Sequence, residues 1–157
     1  MDLASVLLGG LGGACIALVG AFGLQAWQNL REGRAACRAC FMEVSYNSAC
    51  LKLMADKAIF VPLTVNTWQE SQLKLANLLS PADFVVVATL YMRLLSVIHA
   101  RAGSAPGTPL SPPERQAAQE SFERSEAPAK ILQEKGWRPD ECAQLEAQLR
   151  KLDPGPR

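Results

Sequence analysis

The sequence predicts an all-α protein, in which an N-terminal transmembrane helix continues into a small antiparallel helical bundle, with a C-terminal helical pair. Three observations carry that expectation. The run from Leu3 to Leu30 holds no charged residue. Beyond it, apolar side chains recur at alternating intervals of three and four, the period of a helix face. Proline, glycine and serine gather between such runs rather than inside them.

Residues 7–27, "LLGGLGGACIALVGAFGLQAW", raise three readings. A nucleotide loop fails, because no strand precedes the glycines, no lysine follows them, and Cys15 stands where G-x-G-x-x-G requires its last glycine. A signal peptide has a candidate cleavage site at Val19-Gly20-Ala21, but its opening, Met-Asp-Leu-Ala, is acidic where such a leader is basic. A retained membrane helix fits better. Residues 3–27 span roughly 37 Å at 1.5 Å per residue, enough for a hydrocarbon core of about 30 Å. Trp27 falls at the interface position, and Arg31, Arg34 and Arg38 follow it. With Asp2 and no Lys or Arg on the other flank, the positive-inside rule places the N-terminus outside and the C-terminus in the cytoplasm, in a single pass through the cell's inner (plasma) membrane. Gly9, Gly13, Ala17 and Ala21 recur every four residues, forming a transmembrane packing face on which a second helix can approach closely.

Past the arginines, Cys37, Cys40, Val44, Asn47, Leu51, Met54 and Ala58 form a heptad seam, so the membrane helix is expected to run on unbroken as a coiled-coil-like segment and to end before Pro62. Thr64 or Asn66 is the expected N-cap of a second helix, whose inner face is Val65, Trp68, Leu75 and Leu79. Ser80-Pro81-Ala82-Asp83 starts a third, with a capping serine and proline at the first helical position. Its face is Phe84, Val87, Tyr91, Leu94 and Ile98, and it stops near Gly103. The apolar "FVVVATLYMRLLSVIH" is not read as a second span, because Asp83 and Arg93 leave at most nine residues between charges; it is expected to be the most buried helix. "FVVVATLY" suits a strand by propensity, but no other stretch offers a partner.

"GSAPGTPLSPP" (103–113) is expected to be a flexible linker. Ser111-Pro112-Pro113 opens a polar helix that Pro128 should kink or split and Gly136 should end. A last helix from about Pro139 carries Cys142, Leu145, Leu149 and Leu152 on one face. The expected organisation is therefore an anchor (1–30), a three-helix soluble core (31–102), the linker (103–113) and a polar helical region (114–157).

Formal net charge is +1, which leaves no basic field for nucleic acid. Residues 31–102 carry 8 Lys/Arg against 5 Asp/Glu, and 103–157 carry 8 against 9. Five cysteines, one of them inside the apolar run, do not make a secreted disulfide framework. Cys37 and Cys40 form a candidate thiol pair, whose reactivity Arg34 and Arg38 would raise. Both also occupy seam positions, which call for small apolar side chains. A zinc site would have to draw on Cys37, Cys40, Cys50 and His99, without a second C-x-x-C. His99, at the end of the third helix, has no nominated nucleophile or orienting acid and is expected to serve the helix dipole. Glu43 and Asn47, one turn apart, are the polar members of the seam, expected to share a small network or to fix register. Arg31, Arg34 and Arg38 are also placed to hold anionic lipid headgroups.

With "EVSYN…L" (Glu43, Asn47, Leu51), "NTWQESQLKLANLLS" and "VVVATLYMRL" following a small-residue-rich helix, residues 3–100 resemble a functionally uncharacterised class of bacterial single-pass membrane proteins with a small cytoplasmic helical bundle. The chain has fewer arginines after the span than that class, and adds the proline-rich joint. The resemblance implies an architecture and no activity. The expected role is that of a membrane-anchored interaction or oligomerisation module with no catalytic residues, metal or cofactor. Its expected partners are the lipid bilayer, a second copy of itself, or a membrane or cytoplasmic protein. Two alternatives are a phage-type lysis or envelope-spanning component, with the helices outside the cytoplasm, and a thiol-based sensor.

Overall fold

The computed structural model describes residues 3–141, 143 and 144, with side chains from residue 20 onward. Among the described residues there are five helices and no strand: α1 (Leu3–Lys57), α2 (Asn66–Leu78), α3 (Pro81–Ala100), α4 (Pro112–Glu123) and α5 (Glu126–Gly136). Residues 139–141, 143 and 144 are helical too, where the last helix is expected to begin, while its expected face, Cys142, Leu145, Leu149 and Leu152, lies outside the described residues.

No proline interrupts α1, so its 55 residues run on as one helix of about 80 Å. It ends where Ala58 turns into the left-handed region at φ 52°. There the Ala58 N–H still donates to the Met54 carbonyl at 3.0 Å, which closes the last turn. Ser80 caps α3 by accepting from the Asp83 N–H at 3.1 Å, with Pro81 following it. At the start of α4 the Glu114 carboxylate accepts from the Ser111 N–H at 2.8 Å and from its hydroxyl at 2.6 Å. Those contacts and the neighbouring Arg101 hold its carboxyl below the usual carboxylate range, with the Ser111 bonds the larger cause.

The chain breaks between α4 and α5 at Arg124-Ser125, ahead of Pro128. Pro128 is the third residue of α5, where a missing N–H costs no hydrogen bond. The break is fixed by Ser125, whose hydroxyl donates to the Phe122 carbonyl and receives a bond from Ser48 of α1, each at 2.7 Å.

The seam is buried as its spacing requires: Cys37, Cys40, Val44, Asn47, Leu51 and Met54 are all closed to solvent. Trp68 and Leu75 of α2 pack on them, as do Leu90, Tyr91 and Leu94 of α3, Ala118 of α4 and Leu132 of α5. Two glycines permit the closest approaches. A Cβ on Gly33 would lie 3.0 Å from Leu78, and one on Gly136 would lie 3.1 Å from the Cys37 Cβ and 3.2 Å from the Arg38 backbone nitrogen.

Three expectations are corrected. Residues 103–113 do not form a free linker. Phe60 N–H donates to Thr108 O (2.8 Å), Gly107 N–H to Phe60 O (2.9 Å) and Leu110 N–H to Ala58 O (2.8 Å). An isolated bridge between Ile59 and Pro109 results, so the proline-rich segment is stitched to the chain that leaves α1. Nor are α4 and α5 a weakly attached pair. Both pack directly on α1, with Ala118, Pro128 and Leu132 fully buried and the Arg115 guanidinium bonded to the Ala55 carbonyl. Finally, α3 is not the most buried helix. Only Val87, Leu90, Tyr91 and Leu94 are buried, while Val85, Val86 and Met92 face outward. By length and composition alone α3 is long and apolar enough to cross a membrane.

Candidate functional site

The seam's two polar residues meet one target. Glu43 and Asn47 lie on successive turns of α1, both buried, and reach the segment that leads into α2. Asn47 clasps the backbone of Thr64 from both sides: its amide donates to the Thr64 carbonyl at 2.7 Å and its carbonyl accepts the Thr64 N–H at 3.0 Å. Glu43 accepts the N–H groups of Thr67 at 3.0 Å and Trp68 at 3.1 Å, one on each carboxylate oxygen.

Those two N–H groups belong to the first turn of α2, where no intrahelical partner exists. The cap of α2 is therefore supplied by another helix. The N-cap position itself is Val65, which makes no side-chain bond, so neither Thr64 nor Asn66 serves as expected. Thr64 cannot reorient to cap because Asn47 holds its backbone. Its hydroxyl points back to Glu43 at 3.4 Å. A carboxylate at a helix N-terminus also faces the positive end of the helix dipole.

Beside this clamp, Trp68 stacks on Tyr91 with ring centroids 4.6 Å apart and planes 12° apart, and the Phe84 ring, tilted by 32°, is centred 5.6 Å from that of Trp68. The Tyr91 hydroxyl donates to the Cys40 carbonyl at 3.3 Å. Burial pushes its phenol well above the ordinary tyrosine range, with the nearby Cys40 and Glu43 adding to the shift. Clamp, stack and hydroxyl thus tie α1, α2 and α3 together around one point.

Cys37 and Cys40 stand on the same seam, free and fully buried. Burial pushes the Cys37 thiol up to about 12, with Cys40 adding to it and Lys135 opposing. Burial likewise pushes Cys40 up to about 11, against hydrogen bonding from Tyr91. A thiolate is what reactive cysteines require, and this environment disfavours it. The arginines expected to activate the pair face elsewhere. Cys50 is buried too and His99 is exposed; among the described residues no three His, Cys, Asp or Glu side chains come together as metal ligands.

The arginines define a second feature. Trp27, Arg31, Arg34 and Arg38 follow at intervals of four, three and four along one face of α1, and Arg31 lies 5.5 Å from the centre of the Trp27 ring. The chain beyond α5 closes over this face. Arg38 donates to the Gly136 carbonyl at 2.8 Å and to Glu141 at 2.9 Å, and lies 5.5 Å over the Trp137 ring, which packs edge-on against Phe41. Glu141 also accepts the Arg138 N–H at 2.8 Å. Between them is a groove of about 320 Å³ lined by Trp27, Leu30, Arg31, Arg34, Arg138 and Glu141, among others. Spacing places the three α1 arginines on one face; nothing local announces that Arg138 and Glu141 join them.

Of the small-residue face, Gly9, Gly13 and Ala17 lie outside the residues whose side chains are described, and Ala21 is exposed.

These features define an all-helical protein organised on one long helix, with a buried polar clamp and an arginine-lined groove. No family model matches this chain, and no curated protein or solved structure matches it either.

Proposed function

We propose that this protein is a membrane-anchored helical interaction or oligomerisation module, in which the first part of α1 spans the inner membrane and the rest forms an antiparallel helical bundle on the cytoplasmic side. One observation carries the reading. Residues 20–32 are exposed without exception, and they include Phe22 at 71%, Leu24 at 56% and Trp27 at 56% exposure. From Ala36 onward the same helix is covered by its neighbours. Up to Leu30 this stretch carries no charge, and an uncharged helical surface that no described residue covers is costly in water and stable in lipid; contiguous apolar surface of this kind marks a membrane or partner contact.

The interaction role rests on outward-facing apolar residues beyond the span: Met42 and Tyr46 on α1, Leu73 on α2, and Val85 and Met92 on α3. Pairing of protomers through Gly9, Gly13, Ala17 and Ala21 is the intramembrane part of the proposal. Two measurements test it. The full chain should stay with membranes in alkaline carbonate, and a reporter fused after Arg157 should be active only in the cytoplasm. Release by carbonate overturns the anchor. Activity confined to the outside overturns the orientation and favours an envelope-spanning component.

A further inference from the structure

We infer that the groove between α1 and the chain beyond α5 is a binding site for the phosphate of an anionic phospholipid, an inference that rests on the membrane-anchor reading above. Four guanidinium groups, from Arg31, Arg34, Arg38 and Arg138, line a space whose one carboxylate among the described residues is Glu141. That carboxylate is already engaged by Arg38 and by the Arg138 backbone, so three formal positive charges remain over. Arg31, Arg34 and Arg138 form no ion pair with a described carboxylate. The nearby acid on α1, Glu32, is taken up by Lys74 at 3.3 Å. Guanidinium forks match phosphate oxygens in geometry and stay charged at every physiological pH.

The choice of a lipid over a soluble phosphate follows from the groove's other end. Trp27 and Leu30 line it there, and both belong to the uncovered apolar stretch of α1. A ligand that fills the groove therefore needs an anionic head against the arginines and an apolar continuation past the indole. At about 320 Å³ the space is at the small end of ligand sites, suited to a headgroup whose chains lie outside it. Arg138 is the distinctive member. It stands 107 positions after Arg31 in the chain, contributes nothing to a juxtamembrane basic run, and reaches the groove because Arg38 and the Trp137–Phe41 contact hold the end of α5 on α1.

The test uses the full chain, purified in mild detergent and examined by native mass spectrometry with phosphatidylglycerol or phosphatidylcholine, alongside carbonate extraction of the same variants from membranes. The wild type should retain phosphatidylglycerol preferentially, and excess inorganic phosphate should not displace it. Arg34→Gln and Arg138→Gln should each lower that preference about fivefold, the equivalent of about 1 kcal/mol per arginine near a lipid surface. Among the described residues no hydrogen bond, ion pair or ring contact involves Arg34, so its variant guards against a loss caused by misfolding, and circular dichroism guards both variants. An anchored chain whose preference survives both substitutions overturns the groove alone. Displacement by inorganic phosphate overturns the lipid assignment. Release of the wild type by carbonate overturns the anchor, and the lipid site with it.

Discussion

Replacing Glu43 by alanine removes the cap that α1 supplies to α2. Two N–H groups lose their acceptor: that of Trp68, in a fully packed position, and that of Thr67, which is half-buried. A buried donor left without a partner costs about 1–3 kcal/mol, and loss of an N-cap alone costs about 0.5–2 kcal/mol. With one donor deeply buried and the other partly wetted, the expected loss is about 3 kcal/mol, a large share of the roughly 5–15 kcal/mol typical of a folded domain. Glu43→Gln keeps one acceptor oxygen but turns an amide donor toward the other N–H and gives up the charge at the dipole, so about 2 kcal/mol should go. Urea unfolding of the full chain in mild detergent, followed by circular dichroism, reads the change as a shifted midpoint at constant slope. Ser45→Ala, on the exposed side of α1, should stay within about 0.5 kcal/mol of wild type. If Glu43→Ala matched that control, α2 would not depend on a cap from α1, and the clamp would be incidental to the fold.

Three further expectations concern backbone, packing and thiols. Ala58→Gly should stabilise by about 0.5–1 kcal/mol, because φ 52° is strained for alanine and free for glycine; thermal melting reads it. Gly136→Ala should destabilise by about 1 kcal/mol in the same assay, since its new Cβ would press on the Arg38 backbone nitrogen at 3.2 Å, which mid-helix geometry holds in place. Cys37 and Cys40 should resist alkylation in the folded protein and react on unfolding. Their folded values lie above the ordinary thiol value of 9.0, so their contribution is complete below pH 9 and is lost as pH rises toward 11–12, where the unfolded chain ionises first. Wild type should therefore lose stability over that window relative to a Cys37→Ala/Cys40→Ala variant; parallel curves would refute the burial argument.

Periodicity makes the inner faces of the helices legible in the sequence, because burial follows spacing when a helix packs along one side. The seam from Cys37 to Met54 and the α2 face from Val65 to Leu79 are buried as spaced. Local chemistry likewise announces the start of α3 at Ser80-Pro81. Inferences about distant chain are the ones that fail. "GSAPGTPLSPP" has the composition of a linker, yet backbone groups at Ala58 and Phe60 recruit it, and hydrogen bonds from a backbone carry no side-chain signature. Glu43 stands out as a polar seam residue, but its partners are main-chain N–H groups more than twenty positions on, invisible to spacing. Pro128 carries the stronger local rule for a helix break, whereas a serine–serine contact across helices sets the break at Ser125. The arginine face is legible on α1 alone, and its completion by Arg138 depends on how α5 ends.

The continuity of α1 makes it a phase-locked shaft. From Leu3 to Lys57 no loop intervenes, so the compass bearing of the Glu43–Asn47 clamp about the helix axis is set by every residue upstream. One residue inserted between Arg31 and Ala36 would swing everything below it by about 100° and move it about 1.5 Å along the axis. Trp27 and Arg31 would then face a different quadrant from Arg38 and Arg138, although no side chain had changed. Seven inserted residues would nearly restore the bearing, to within about 20°, while leaving the lower part about 10 Å farther away. The spacing between Trp27 and Arg38 is in this sense a gear setting, and length changes there should act through angle before they act through distance.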